Sequence, residues 1–142
     1  MVVGGLGELL GGLDRNFEFL QVEETELSGV PVHAALGRWR RERLVENLPG
    51  QRDELREGKY PRLDGLPPQT PHEVLLVLGR DDLFPYVVEY RRATKGRMAP
   101  ILRMEMFEVA IGGPIDPRNF VYKPSDGVTA TDGTQDFLQR WK

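Results

Sequence analysis

Leu6, Leu9, Leu10 and Leu13 recur at i, i+3, i+4 and i+7, which places one apolar stripe on a helix and predicts a short helical element at the head of the chain. Gly7, Gly11 and Gly12 interrupt the same stretch. Each weakens a helix by about 1 kcal/mol relative to alanine, so packing of the leucine stripe has to hold it. Two strand-like segments follow, Phe17 to Leu27 and Val30 to Arg40, with Ser28-Gly29 between them as a two-residue hairpin turn. In that register Phe17, Phe19, Val32, Ala34 and Leu36 share one face. Glu24 and His33 then oppose each other on the second face, with Leu20, Val22 and Trp39. His33 reads as a charge-paired surface residue.

Between Arg41 and Pro71 the period changes. Leu44, Val45 and Leu48 predict a short amphipathic helix ended near Pro49-Gly50, Asp53 to Gly58 predicts another helical turn, and Lys59 to Pro71 is rich in turn residues. A segment of this length inside a small domain suits a lid or plug. Strands resume at Glu73 to Gly79, Tyr86 to Thr94 and Pro100 to Ile111, with Lys95-Gly96 as a turn. Val74 to Leu78 is apolar on both faces, which predicts a central strand covered on both sides. Pro117 and Pro124 flank Phe120, Val121 and Tyr122. That spacing predicts a short edge strand, because neither proline fits a central ladder. Phe137, Leu138 and Trp141 predict a last helical turn.

Composition narrows the class. A chain of 142 residues fits one domain. Glycine and proline make up 27 of these residues and fall mostly between apolar runs, as in an antiparallel meander with many turns. The fold class predicted is mainly β with α+β character: a curved antiparallel sheet, or half-barrel, with short helices on its concave face. Nineteen basic against 22 acidic residues leave a net charge of −3, so there is no electrostatic footprint for nucleic acid. Arg38, Arg40, Arg41 and Arg43 form one basic cluster, read as a solvated strand face in preference to a phosphate patch. The absence of cysteine excludes disulfides and thiolate chemistry. Met1 to Leu13 lacks a positive n-region and contains five glycines, so it does not read as a signal peptide.

Candidate chemistry is sparse. Asp81 and Asp82 are adjacent, and consecutive loop carboxylates suit a turn or cap better than a cation site. Asp126, Asp132 and Asp136 lack the alternate spacing and closing glutamate of a calcium loop. His33 and His72 are the two imidazoles, and neither stands in a hydrolase or zinc motif. Met98, Met104 and Met106 gather three of four methionines within nine residues, which suits an adaptable apolar surface, with ordinary core packing as the simpler reading.

The run Pro114-Ile-Asp-Pro-Arg-Asn-Phe-Val-Tyr-Lys-Pro-Ser-Asp-Gly-Val128, together with Leu83-Phe-Pro-Tyr-Val-Val-Glu-Tyr90, resembles the bacterial outer-membrane lipoprotein carrier (LolA-like) superfamily. So does the order hairpin, helical insertion, meander. The likeness covers Glu73 to Asp132 and, more thinly, Leu6 to Leu48. Ser125 and Asp126 depart from the proline or lysine that many relatives keep. The resemblance implies a single domain over 1–142 that lacks the family's first strands, and a half-barrel enclosing an apolar cavity.

It further implies a periplasmic, non-enzymatic carrier of an acyl, lipid or lipoprotein ligand, exported by a signal upstream of this chain. No cofactor is implied, and peripheral membrane contact is. The expected ligand-binding residues are Leu36, Leu44, Leu48, Val88, Tyr90, Met104 and Met106, with Leu44 and Leu48 as the lid. The alternative is a protein-interaction module on the same scaffold with a filled cavity. The edge of the first strand is a candidate for homodimer pairing or for cover by the glycine-rich helix.

Overall fold

The computed structural model describes residues 5–121, 126–127, 132–133 and 139. The chain divides into two units, Met1–Glu108 and Val109–Lys142. The first carries α1 (Leu6–Asn16), β1 (Phe17–Leu27), β2 (Val30–Trp39), α2 (Arg41–Asn47), α3 (Arg52–Arg56), β3 (Glu73–Gly79), β4 (Pro85–Thr94) and β5 (Arg97–Glu105). The five strands form one open antiparallel sheet in the order β1-β2-β3-β4-β5. The fold is mainly β with α+β character.

Both tight hairpins follow from their turn residues. Ser28 and Gly29 have φ of 50° and 82°, and Lys95 and Gly96 have 51° and 77°. Two consecutive left-handed residues match the right-handed twist of the flanking strands. Glu24 stands opposite His33, as the loop length predicts. The charge pairing expected of them is not formed: His33 is half-buried and its Nδ1 has no hydrogen-bond partner.

The face assignment for β1 needs correction. A register shift at Leu20 places Phe17 opposite Trp39 and Phe19 opposite Gly37, while Gln21, Glu23 and Thr25 face Leu36, Ala34 and Val32. An extra residue moves everything before it to the other side of the sheet. Phe17 and Phe19 therefore leave the face of Val32, Ala34 and Leu36 and join that of Val74, Leu76 and Val88. Gly37 makes this arrangement fit, since a Cβ there would lie 2.7 Å from both the Phe19 ring and a Val74 methyl.

α1 packs on that face. Leu13, Phe17, Val74, Leu76 and Val88 are buried together, with Leu9, Leu10, Phe19, Trp39, Tyr90 and Met104 against them. The opposite face carries a second cluster of Val32, Val77 and Val87 with Leu27, Ala34 and Leu75. β3 is thus the central strand, apolar toward both sides, as its composition requires.

β5 begins at Arg97 and ends at Glu105, not at Pro100 and Ile111. Pro100 is tolerated because β5 is an outer strand, and Ile101 is the extra residue of a register shift against β4. In the second unit, Pro117–Phe120 forms a 3-10 turn where an edge strand was expected. The Asp116 carboxylate accepts from the Arg118 backbone N–H at 2.9 Å, and Pro117 suits the first helical position. Tyr122, the last-turn residues Phe137, Leu138 and Trp141, and Asp136 lie outside the described residues.

Candidate functional site

Arg41–Pro71 is anchored mainly through backbone carbonyls. The Trp39 indole N–H donates to the Pro71 carbonyl at 2.8 Å. Arg41 donates to the Leu55 carbonyl at 2.6 Å, and Gln51 both donates to the Arg62 carbonyl and accepts from its N–H. Arg92 on β4 reaches the carbonyls of Leu66, Pro67 and Thr70 at 3.1, 2.8 and 2.6 Å. A guanidinium offers five donors in a fixed fork, so one side chain can gather several turns of irregular chain. Leu44, Leu48, Leu55 and Leu66 form a small core of their own, and Trp39 packs against it as well as against the α1 cluster.

Between this segment and the adjoining end of the sheet lies a cleft of about 500 Å³. Trp39, Leu44, Leu55 and Leu63 supply apolar lining, joined by the exposed side chains of Leu20, Tyr60 and Met98. Glu18, Arg38, Arg41 and Glu73 bring charge of both signs. Arg38 lies between Glu18 and Glu73 in register and makes no ion pair with either among the described residues; Glu73 turns instead to Arg91 at 3.8 Å.

His72 completes the lining. It is 5% exposed. Its Nδ1 accepts from the Ala93 N–H at 3.3 Å, which assigns the proton of the neutral ring to Nε2. Nε2 is buried without a well-aligned hydrogen bond, and the Leu63 backbone is the ring's further hydrogen-bonding neighbour. Burial holds the imidazole below its ordinary pKa, helped by Arg92, against the opposing pull of Asp64, the Leu63 backbone and Glu73.

A second cleft, about 510 Å³, is lined by Pro68, Gln69, Pro71, Tyr90, Ile101 and Leu102. Burial raises the Tyr90 phenol above its usual range. On the other face of the sheet Glu89 is nearly buried and accepts from Arg91 at 2.5 Å and Arg103 at 2.6 Å. Burial would raise its carboxyl, but the two guanidiniums outweigh this and hold it below the usual carboxylate range.

The residues expected to line a lipid cavity are distributed among these places. Val88, Tyr90 and Met104 meet in the packed cluster beneath α1, where Val88 is fully buried. Leu36 lies on the opposite face, paired with Leu75. Leu44 and Leu48 are buried in the small core of the inserted segment, and of these two Leu44 lines the first cleft. Met106 follows β5, half-buried, its N–H bonded to the Tyr86 carbonyl at 2.9 Å.

The basic cluster is largely engaged. Arg40 donates to the Asp14 carbonyl, Arg41 to that of Leu55, and Arg43 pairs with Glu46. Asp82 serves its turn, accepting from the Phe84 N–H and the Tyr86 hydroxyl. Sequence reasoning did not single out Leu20, Tyr60, Leu63 or Arg92, and it left His72 without a role. The one available signal was the position of His72 between a proline turn and a strand, where a buried polar group has to find partners. No family model, curated protein or solved structure matches this chain.

Proposed function

We propose that this chain is a non-enzymatic binding protein for an acyl or similar apolar-chain ligand, held in the cleft between the sheet and the Arg41–Pro71 segment. The observation that carries the reading is the convergence of exposed Leu20, Tyr60 and Met98 on a cleft lined by Trp39, Leu44, Leu55 and Leu63. Its volume of about 500 Å³ lies within the range of about 300–1,000 Å³ found for small-molecule sites. Burying a chain there is worth about 0.8 kcal/mol per methylene without directional polar contacts. The interface beneath α1 is occupied by the protein's own side chains, so the ligand reading rests on the cleft. The periplasmic setting and membrane contact implied by the lipoprotein-carrier resemblance belong to the same proposal.

Titration with dodecanoate, followed through Trp39 fluorescence in a Trp141→Phe background, tests it. Saturable binding that Leu63→Glu weakens about tenfold or more is expected, a loss of about 1.4 kcal/mol. A flat titration of the folded parent protein would contradict the proposal.

The second reading is an interaction module on a filled scaffold. It draws support from the packed α1 interface and from β1, an outer strand whose Leu20 and Val22 are exposed. An unpaired strand edge is a template for another strand, and a homodimer with a continuous sheet is the simplest product. Light scattering at high concentration distinguishes it: a dimer mass lost in Phe19→Pro supports pairing through β1, and a monomer mass excludes it.

A further inference from the structure

β1 and β5 are the two outer strands of the sheet, and their free edges differ. β5 carries Pro100, which has no N–H to offer, and a bulge at Ile101, both devices that close an edge to further pairing. β1 spans 11 residues without proline, and its one irregularity lies near its start, at Leu20. From Leu20 to Glu26 every residue is exposed, so this stretch is bare on both faces as well as along its edge. The direction of its free backbone groups follows from β2. The Pro31 carbonyl accepts from the Arg80 N–H at 3.0 Å, so Pro31 turns its backbone toward β3, and Glu26, its partner in β1, turns outward. Such pairs alternate along an antiparallel ladder, which gives Glu24 and Val22 the same outward direction. The N–H and C=O groups of Val22, Glu24 and Glu26 thus line an edge that no strand of the sheet occupies.

Charge decides what can lie there. Glu18, Glu23, Glu24 and Glu26 stand on β1 with no basic residue among them, and none makes an ion pair among the described residues. A second copy paired through this edge would set these glutamates against their own kind, and like charges directly opposite are destabilising. We propose that the β1 edge receives an extended, lysine- or arginine-bearing segment of a different protein, added to the five-stranded sheet as a further strand. The backbone groups of Val22, Glu24 and Glu26 supply the ladder, as in strand addition generally. The side chains set the sequence preference. Val22, Glu24 and Glu26 lie on one face, and Gln21, Glu23 and Thr25 on the other. An antiparallel segment therefore places basic residues across from Glu26, Glu24 and Glu23, and an apolar one across from Val22, which is 60% exposed. Carboxylates of a single sign oppose self-association and admit a basic partner, so one feature supplies both attraction and exclusion. This rests on the interaction reading given above, with a partner other than a second copy, and is independent of acyl binding, since residues 21–26 lie outside the cleft lining.

Amide ¹H–¹⁵N NMR of the intact chain tests this with a capped peptide of sequence Lys-Thr-Lys-Lys-Val-Thr-Val, and with its counterpart in which every lysine is glutamate. Light scattering should find the chain alone monomeric. The basic peptide is expected to shift the amide signals of Val22, Glu24 and Glu26 and to slow their exchange with solvent, as new ladder bonds do. It should bind about tenfold or more tightly than the acidic peptide, and that preference should fall as salt is raised. Val22→Pro removes one outward donor, leaves the bonds to β2 in place and keeps every carboxylate; it should weaken binding about tenfold or more. If the basic peptide binds but these amides keep their exchange rates, the contact is charge alone and strand addition falls. If both peptides bind equally, the preference for a basic partner falls. If the chain is a dimer with these amides already protected, the homodimer stands and the different partner falls. If the chain is monomeric and neither peptide binds, the interaction reading falls as well. The NMR readout is taken on the parent protein, so misfolding of a variant does not blunt the test.

Discussion

Trp39 and Pro71 are joined by an indole N–H that donates to a carbonyl at 2.8 Å across 32 residues of sequence. The same indole packs on Phe17 in a tilted arrangement, ring centroids 4.6 Å apart, and lies against the cluster of Leu44, Leu48, Leu55 and Leu66. One side chain therefore ties the α1 core, the inserted segment and the entry to β3. Trp39→Phe keeps much of the apolar contact and removes the donor. It should lower stability by about 1–2 kcal/mol, measured as a shift in the urea midpoint at unchanged slope. A midpoint equal to that of the parent protein would deny the indole its role as a tie.

Glu89 is the second point of vulnerability. Glu89→Gln keeps the shape and removes the charge shared by Arg91 and Arg103. Both guanidiniums are partly exposed, so the loss should be about 1–3 kcal/mol, short of a fully buried pair. The folded protein holds this carboxyl below its usual pKa, because the guanidiniums overcome the effect of burial. Its contribution is therefore complete above the ordinary glutamate pKa and is lost as the pH falls through the depressed folded value. Denaturation of parent and variant should differ at neutral pH and converge in acid. A constant difference down to the acid limit would assign the effect to packing.

Gly37→Ala tests the aromatic packing under α1. The added Cβ meets Phe19 and Val74 at 2.7 Å, and the overpacking should cost about 1–3 kcal/mol. The thermal midpoint reports it; an unchanged value would mean that Phe19 turns away without cost.

Ser28→Asn should act in the other direction. Ser28 has φ of 50° ahead of Gly29, and asparagine tolerates this conformation better than serine in a two-residue hairpin. A gain of about 0.5 kcal/mol in chemical denaturation is expected. A loss of stability would mean that the serine hydroxyl makes a compensating bond in the turn.

Much of this fold is legible in the chain. Both hairpins announce themselves through a pair ending in glycine, and the doubly apolar Val74–Leu78 marks the sheet centre. The Leu6–Leu13 stripe forms because three of its four leucines find the sheet. The shift at Leu20 has no local signal. It is decided by where two phenylalanines fit beneath α1, against a glycine 18 residues away from Phe19 in sequence. The 3-10 turn at Pro117 overrides an apolar alternation because Asp116 caps it.

The cleft was less legible for a related reason. Glu18 and Leu20 of β1 are joined there by Trp39, Leu55, Tyr60, His72 and Met98, which come from separate stretches and share no spacing. Three methionines close in sequence are parted by the pleat and the shift at Ile101, which leaves Met98 in the cleft and Met104 under α1.

The cleft beside Trp39 is the proposed seat of an acyl chain. Native mass spectrometry of the intact chain after mild purification from cells tests it most directly. A second mass series is expected, heavier by one acyl-bearing molecule, that disappears in Leu63→Glu. A single series at the mass of the bare chain, unchanged on adding dodecanoate, would contradict it.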